Sequence, residues 1–149
     1  MKSVDTIESV LKLKGRQVLS VAPTATVYEA IEKMSEKGVG SLVVMSEGQL
    51  AGIISERDYA RKVILKDRSS KQTQVREIMT TPVITVKPGD TVEECMRTMT
   101  ENRIRHLPVV DRDQVVGIVS IGDLVNWIIT AHEETIGHLQ SYIAGNYPG

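Results

Sequence analysis

Apolar and polar positions along this chain follow two alternating periods, and the alternation is written out twice. Ile7, Val10 and Leu11 share one face of a helix predicted over residues 5–14, with Gly15 as its stop. Residues 18–21 (Val-Leu-Ser-Val) read as a strand ended by Ala22-Pro23. Val27, Ala30, Ile31 and Met34 form a helical stripe, opened by Thr26-Val27-Tyr28-Glu29 as a capping box and closed by Gly38. Two near-continuous apolar runs, 41–45 and 50–54, flank Ser46-Glu47-Gly48-Gln49, which has turn chemistry. Such runs suit strands covered by helices. A second helix then carries Tyr59, Ala60, Val63 and Ile64.

The order begins again at residue 83. A strand at 83–86 ends in Lys87-Pro88, and Thr91-Val92-Glu93-Glu94 is a second capping box. Val92, Cys95, Met96 and Met99 repeat the earlier stripe, with the helix ending near Asn102. Strands at 106–110 and 115–119 flank Asp111-Arg112-Asp113-Gln114, and Leu124, Val125, Ile128 and Ile129 mark the closing helix. Pro108 lacks an amide donor and is expected at a strand start or edge. Residues 18–64 align with 83–129 at a constant offset of 65, without a gap, and about a third of the positions are identical. Such a match means duplication and predicts pseudo-twofold symmetry. Val75-Arg76-Glu77-Ile78-Met79-Thr80 resembles the first helical leader, which makes a leader part of each repeat. The predicted organisation is a first repeat with its leader at 5–65, a polar linker at 66–74, a second repeat at 75–130 and a C-terminal helix at 131–145. That last helix places Ile136, Leu139 and Ile143 on one face, to pack on its own domain or on a second subunit. The fold class is mixed α/β (α+β), each repeat running β-α-β-β-α.

Composition narrows the function. At 149 residues, two small repeats sharing a core are more comfortable than two independent domains. Phe is absent and aromatics are 3%, so aliphatic residues and Met must fill the interior. A net charge of -1 gives no basic field for nucleic acid. No apolar run approaches the ~18 residues of a membrane span, and no apolar signal core opens the chain, so a cytoplasmic location is expected. Cys95 stands at an apolar position and reads as a small buried hydrophobe.

The duplicated segment richest in chemistry is Gly52-Ile53-Ile54-Ser55-Glu56-Arg57-Asp58, echoed by Gly117-Ile118-Val119-Ser120-Ile121-Gly122-Asp123. A serine with an acid three residues on, at a helix start, is a near-capping box and needs no ligand. The same geometry suits a nucleotide. Amides at a helix start can seat phosphate, a carboxylate one turn in can take two vicinal ribose hydroxyls, and apolar strands can sandwich a base. Arg57 gives the first copy a cation inside the motif, with Arg61 and Lys62 reading as a solvated helix face. The second copy, with Ile121-Gly122, leans on backbone amides.

The repeated Gly-h-h-Ser-x-x-Asp segments (h, apolar), the Arg105-His106-Leu107-Pro108-Val109 strand and the 75–80 leader resemble a pair of CBS domains, a Bateman module, over about residues 5–130. Residues 55–62 further resemble small bacterial stand-alone CBS-pair proteins. The resemblance implies a non-enzymatic sensor that binds AMP, ADP, ATP, NAD or S-adenosylmethionine and signals to a separate effector protein, as a homodimer. It implies ribose contacts from Asp58 and Asp123, and phosphate contacts from Ser55, Arg57, Ser120, Arg105 and His106. It places Val39, Gly40, Ser41, Ile104 and Pro108 beside the bases, with the strand-entry residues Val18 and Val83 opposite.

Other chemistries find little support. His132 and His138 stand six apart and share no helical face, which argues against a metal site. Ser120, Asp123 and His106 lack a nucleophile-elbow sequence, and no Walker loop or Gly-x-Gly-x-x-Gly fingerprint occurs. The alternative function is a structural homodimerisation module with vestigial clefts.

Overall fold

The computed structural model describes residues 5–131. The expected C-terminal helix, apart from Ala131, lies outside the described residues, as do His132 and His138. In the first repeat, α1 (Ile7–Lys14) and β1 (Ser20–Val21) precede α2 (Val27–Lys37), β2 (Ser41–Ser46), β3 (Gln49–Ser55) and α3 (Glu56–Tyr59). The second repeat holds α4 (Val92–Asn102), β4 (His106–Asp111), β5 (Gln114–Ser120) and α5 (Ile121–Ala131). The two central helices open as their sequences dictate. Thr26 and Glu29, and Thr91 and Glu94, each satisfy one another's backbone amides. Gly38 closes α2 in the left-handed conformation, but Arg103, not Asn102, takes that conformation after α4.

The internal symmetry extends to hydrogen bonding. Ser41 pairs with Ser55 and His106 with Ser120, and both hairpins shift register after Val44 or its counterpart Val109. Glu47-Gly48 and Arg112-Asp113 both have positive φ, as a type I′ turn requires. The second helices diverge. After α3 the chain widens into a π turn over Ala60–Ile64, where the Leu65 amide reaches back to Ala60, whereas α5 continues as a regular helix.

The first strands also diverge, and one residue explains why. In the first repeat β1 lies parallel to β2, and the Val43 amide donates to Leu19. The position equivalent to Val43 is Pro108, which has no amide to offer Ile84. Pairing therefore survives only around Val86, whose amide donates to Pro108 and whose carbonyl accepts from Val110. The expected strand at 83–86 is reduced to a bridge, and Pro108 sits inside β4 rather than at its start. It is tolerated there because the edge it faces is otherwise unpaired.

The leaders cross over. Ile7, Val10 and Leu11 of α1 are buried in the core of the second repeat, among Val92, Cys95, Met99, Leu107, Val119 and Leu124. Val75 and Ile78, which precede the second repeat, are buried in the core of the first with Val27, Ala30, Met34, Leu42 and Ile54. Matching backbone bonds fix each crossing: Ile7 to Asp90 and Val92 to Asp5 on one side, Val75 to Ala25 and Val27 to Thr73 on the other. Each leader therefore packs on the repeat it does not precede, a correction to its assignment by sequence order. The motif glycines make room for this. A Cβ on Gly117 would lie 2.7 Å from Leu11 Cδ2, and one on Gly52 would lie 2.6 Å from Met79 Sδ.

Candidate functional site

Both serine–aspartate pairs form reciprocal caps. Ser55 N–H donates to Asp58 Oδ2 at 3.0 Å and Asp58 N–H to Ser55 Oγ at 3.2 Å; the Ser120–Asp123 distances are 2.8 and 3.1 Å. The next amide of each motif donates to a carbonyl at a strand entry, Glu56 to Gly40 and Ile121 to Arg105. Three of the four amides from Ser55 to Asp58 are thus already bonded, and likewise from Ser120 to Asp123. The array of free amides expected at these helix starts is therefore not there, because the acid and the strand entry use them.

The acids differ in what else they hold. Asp58 is buried, and its Oδ1 accepts from Thr80 Oγ1 at 3.2 Å and faces Lys62 Nζ at 3.1 Å. Asp123 Oδ2 accepts from Lys14 Nζ at 2.6 Å, a contact that comes from the crossed leader α1.

One cavity of about 280 Å³ opens beside the first motif, close to the lower end of the range for small-molecule sites. Ser55, Arg57, Asp58 and Gly40 line it from the first repeat, and Val83, Ile104, Arg105 and His106 from the second. Eight expected site residues thus converge across the two repeats. Val18, Val39, Ser41, Pro108, Ser120 and Asp123 do not line it. Val39 packs against the first core, Ser41 is buried in register with Ser55, and Pro108 is inside β4. The sequence reading missed Ile53, Glu56, Thr80, Pro82, Ile84 and Arg103. The signal for Ile84 was Pro108: an unpaired 82–84 segment is free to become a wall.

Arg57 Nη1 donates to the Arg103 carbonyl at 2.8 Å, tying the first motif to the end of α4. Arg57, Arg103 and Arg105 line the cavity together with the acidic Glu56 and Asp58. His106 lies against the opposite wall, since a Cβ on Gly40 would come within 3.3 Å of its Nε2. Burial holds its imidazole below the ordinary 6.5; Asp123 pulls it back up, while Lys14 and Arg105 push it further down. The folded protein therefore binds this proton less readily than the unfolded chain does. Stability from this group is fully present above about pH 6.5 and is lost as pH falls toward the depressed folded value. Thermal melting across pH 5–8 should show that decline, and His106→Gln should flatten it relative to wild type.

The CBS-domain family model matches residues 10–65 and 75–130. The chain belongs to the CBS-domain family. It is a tandem CBS pair. A solved structure of a CBS-domain protein from Burkholderia ambifaria superposes with a TM-score of 0.82 at 50% identity, covering 84% of this chain and 94% of that one. The mitochondrial CBS domain-containing protein CBSX3 of Arabidopsis thaliana is 45% identical over 95% of this chain and 73% of its own length. The CBS pair of protein MJ0100, solved with 5′-methylthioadenosine and S-adenosyl-L-methionine, superposes with a TM-score of 0.75 at 26% identity, covering 85% and 97%. CBS pairs are in general regulatory modules that bind adenosyl ligands, rather than catalysts. A mitochondrial relative beside a bacterial one means that membership does not fix the compartment. Among the described residues, no helix is long and apolar enough to cross a membrane.

The remaining chemistry of this CBS pair is structural. Cys95 is buried in the second core, and burial pushes its thiol up to about 12, with Asp90 and Glu94 adding to the shift. It stays neutral and unreactive. Ile64, Leu65, Val125 and Ile129 are exposed, and Ile64 and Ile129 occupy equivalent positions in the two repeats.

Proposed function

We propose that this CBS pair is a non-enzymatic sensor that binds an adenosyl nucleotide, AMP, ADP, ATP or NAD, between its repeats and reports occupancy to a separate effector protein. The cavity carries the reading. Its walls bring the acidic Asp58, three arginines and the apolar Ile53, Val83, Ile84 and Ile104 together from both repeats. Asp58 takes the ribose diol in exchange for Thr80 and Lys62. Arg57, Arg105, His106 and Ser55 face the phosphates, while Gly40, Val83 and Ile104 border the base. A second cleft uses Asp123 and Ser120 in the same roles, with Val18, Val39, Ser41 and Pro108 toward its base. A ligand that touches both repeats favours one arrangement of them, and regulation follows from that differential affinity. The exposed Ile64, Leu65, Val125 and Ile129 support a homodimer.

One observation favours the alternative of a dimerisation module with idle clefts: Asp58 already has four internal contacts. Calorimetry and thermal melting with each nucleotide separate the two. A sensor gains about 2.7 kcal/mol at 100 times the dissociation constant. Asp58→Asn, which keeps an oxygen for the Ser55 amide, should stay folded and lose the binding event at this cavity. No heat and no shift at millimolar nucleotide would decide for the dimerisation module.

A further inference from the structure

The second motif lacks a cation of its own, having Ile121-Gly122 where the first has Glu56-Arg57. The fold supplies one from elsewhere. Lys14, the last residue of α1, reaches the motif because the leaders are crossed. Its Nζ donates to the Ile118 carbonyl at 2.8 Å and to Asp123 Oδ2 at 2.6 Å. An ammonium has three donors, so one remains. Asp123 Oδ2 is occupied by Lys14 and the Ser120 amide, and Oδ1 has no hydrogen-bond partner among the described residues. An unused acceptor therefore stands beside an unused donor. The first motif offers no such pair: both oxygens of Asp58 are taken, by Ser55, Thr80 and Lys62.

We infer that Lys14 is the anion-selecting residue of the second motif, so that this motif takes an adenosyl ligand bearing a 5′ anionic group in preference to the uncharged nucleoside. The inference rests on the adenosyl reading proposed above. A vicinal diol donates to the open Oδ1. The Lys14 ammonium, on a flexible four-carbon stem, turns its free donor to the phosphate. The cation comes from the opposite end of the sequence, 109 residues from its aspartate. It was invisible to any reading of the motif alone.

The single tryptophan of the chain gives a local readout. Trp127 lies one turn beyond Asp123 in α5, and its Nε1 donates to Asp5 of the leader at 3.0 Å. The test titrates ADP and adenosine separately into the full chain, following heat and Trp127 emission, for wild type, Lys14→Met and Lys14→Arg. The expected result is that Lys14→Met weakens ADP by about tenfold or more in the Trp127-detected event, the size of a lost charge-assisted hydrogen bond. Adenosine affinity stays unchanged, and Lys14→Arg retains ADP. Equal weakening of both ligands would make Lys14 a purely structural tie and overturn the inference, as would unchanged ADP affinity in Lys14→Met. Adenosine binding as tightly as ADP to wild type would overturn it too, while leaving the adenosyl reading standing. If neither ligand binds wild type at millimolar concentration, the adenosyl reading itself falls and this inference with it.

Discussion

Leu11→Ala should destabilise the protein by about 2–5 kcal/mol, among the largest effects of any single truncation here, although Leu11 precedes the first repeat by sequence. Leu11 is fully buried in the core of the second repeat, against Gly117. The loss combines removed apolar contact with a cavity that a core of helix and strand side chains fills only in part. Urea denaturation reads it as a lower midpoint. The pairing with Gly117 makes a sharper test. Gly117→Ala alone forces a methyl to within 2.7 Å of Leu11 Cδ2. Once Leu11 is alanine, that methyl enters vacated space. The double variant should therefore be less destabilised than the sum of the two singles. Strict additivity would mean that the leader does not dock on Gly117.

Gly52→Ala is the second large effect, about 1–3 kcal/mol from overpacking. Here the new methyl meets backbone as well as side chain: Met79 Sδ at 2.6 Å and the Thr80 carbonyl at 3.0 Å. Thr80 cannot simply turn away. Its carbonyl accepts from the Ile53 amide, its own amide donates to Ile53, and its hydroxyl donates to Asp58. Shifting this one residue disturbs a cavity wall and the proposed ribose carboxylate together. Nucleotide affinity should fall with stability. A Gly52→Ala protein of wild-type stability and affinity would show that the 75–80 leader yields without consequence.

These two glycines mark where reading the sequence succeeded and where it stopped. Helices α2 and α4, the hairpins and the duplication were all legible, because capping boxes, apolar stripes and turn residues act over a few residues. Ser55, Arg57 and Asp58, which the resemblance singled out together with Val83, Ile104, Arg105 and His106, stand with them around one cavity, and their roles toward a ligand are the proposal made above. The crossed leaders were not legible. A helical stripe states that it must be buried, but not against which of two nearly identical repeats. Gly52 and Gly117 were read as part of a ligand motif, whereas each also clears the path of a leader. Arg103 was hidden for a similar reason: it is a helix cap by position, and only the fold turns it toward Arg57. Pro108 was read as a strand-edge residue. Its larger consequence was on the neighbouring segment, in leaving Ile84 unpaired.

The crossing also sets the order in which the molecule can be completed during synthesis. The interior of the first repeat lacks Val75 and Ile78 until the ribosome has passed the linker, so 5–65 alone emerges with an open core. The apolar face of α1, made before the rest of both repeats, finds its burial site only when residues 86–124 follow. A nascent chain must carry that exposed stripe until the second repeat has been made, which makes it a natural target for chaperones and for misassembly. Neither half should fold alone, and two halves made separately should recover structure only when mixed.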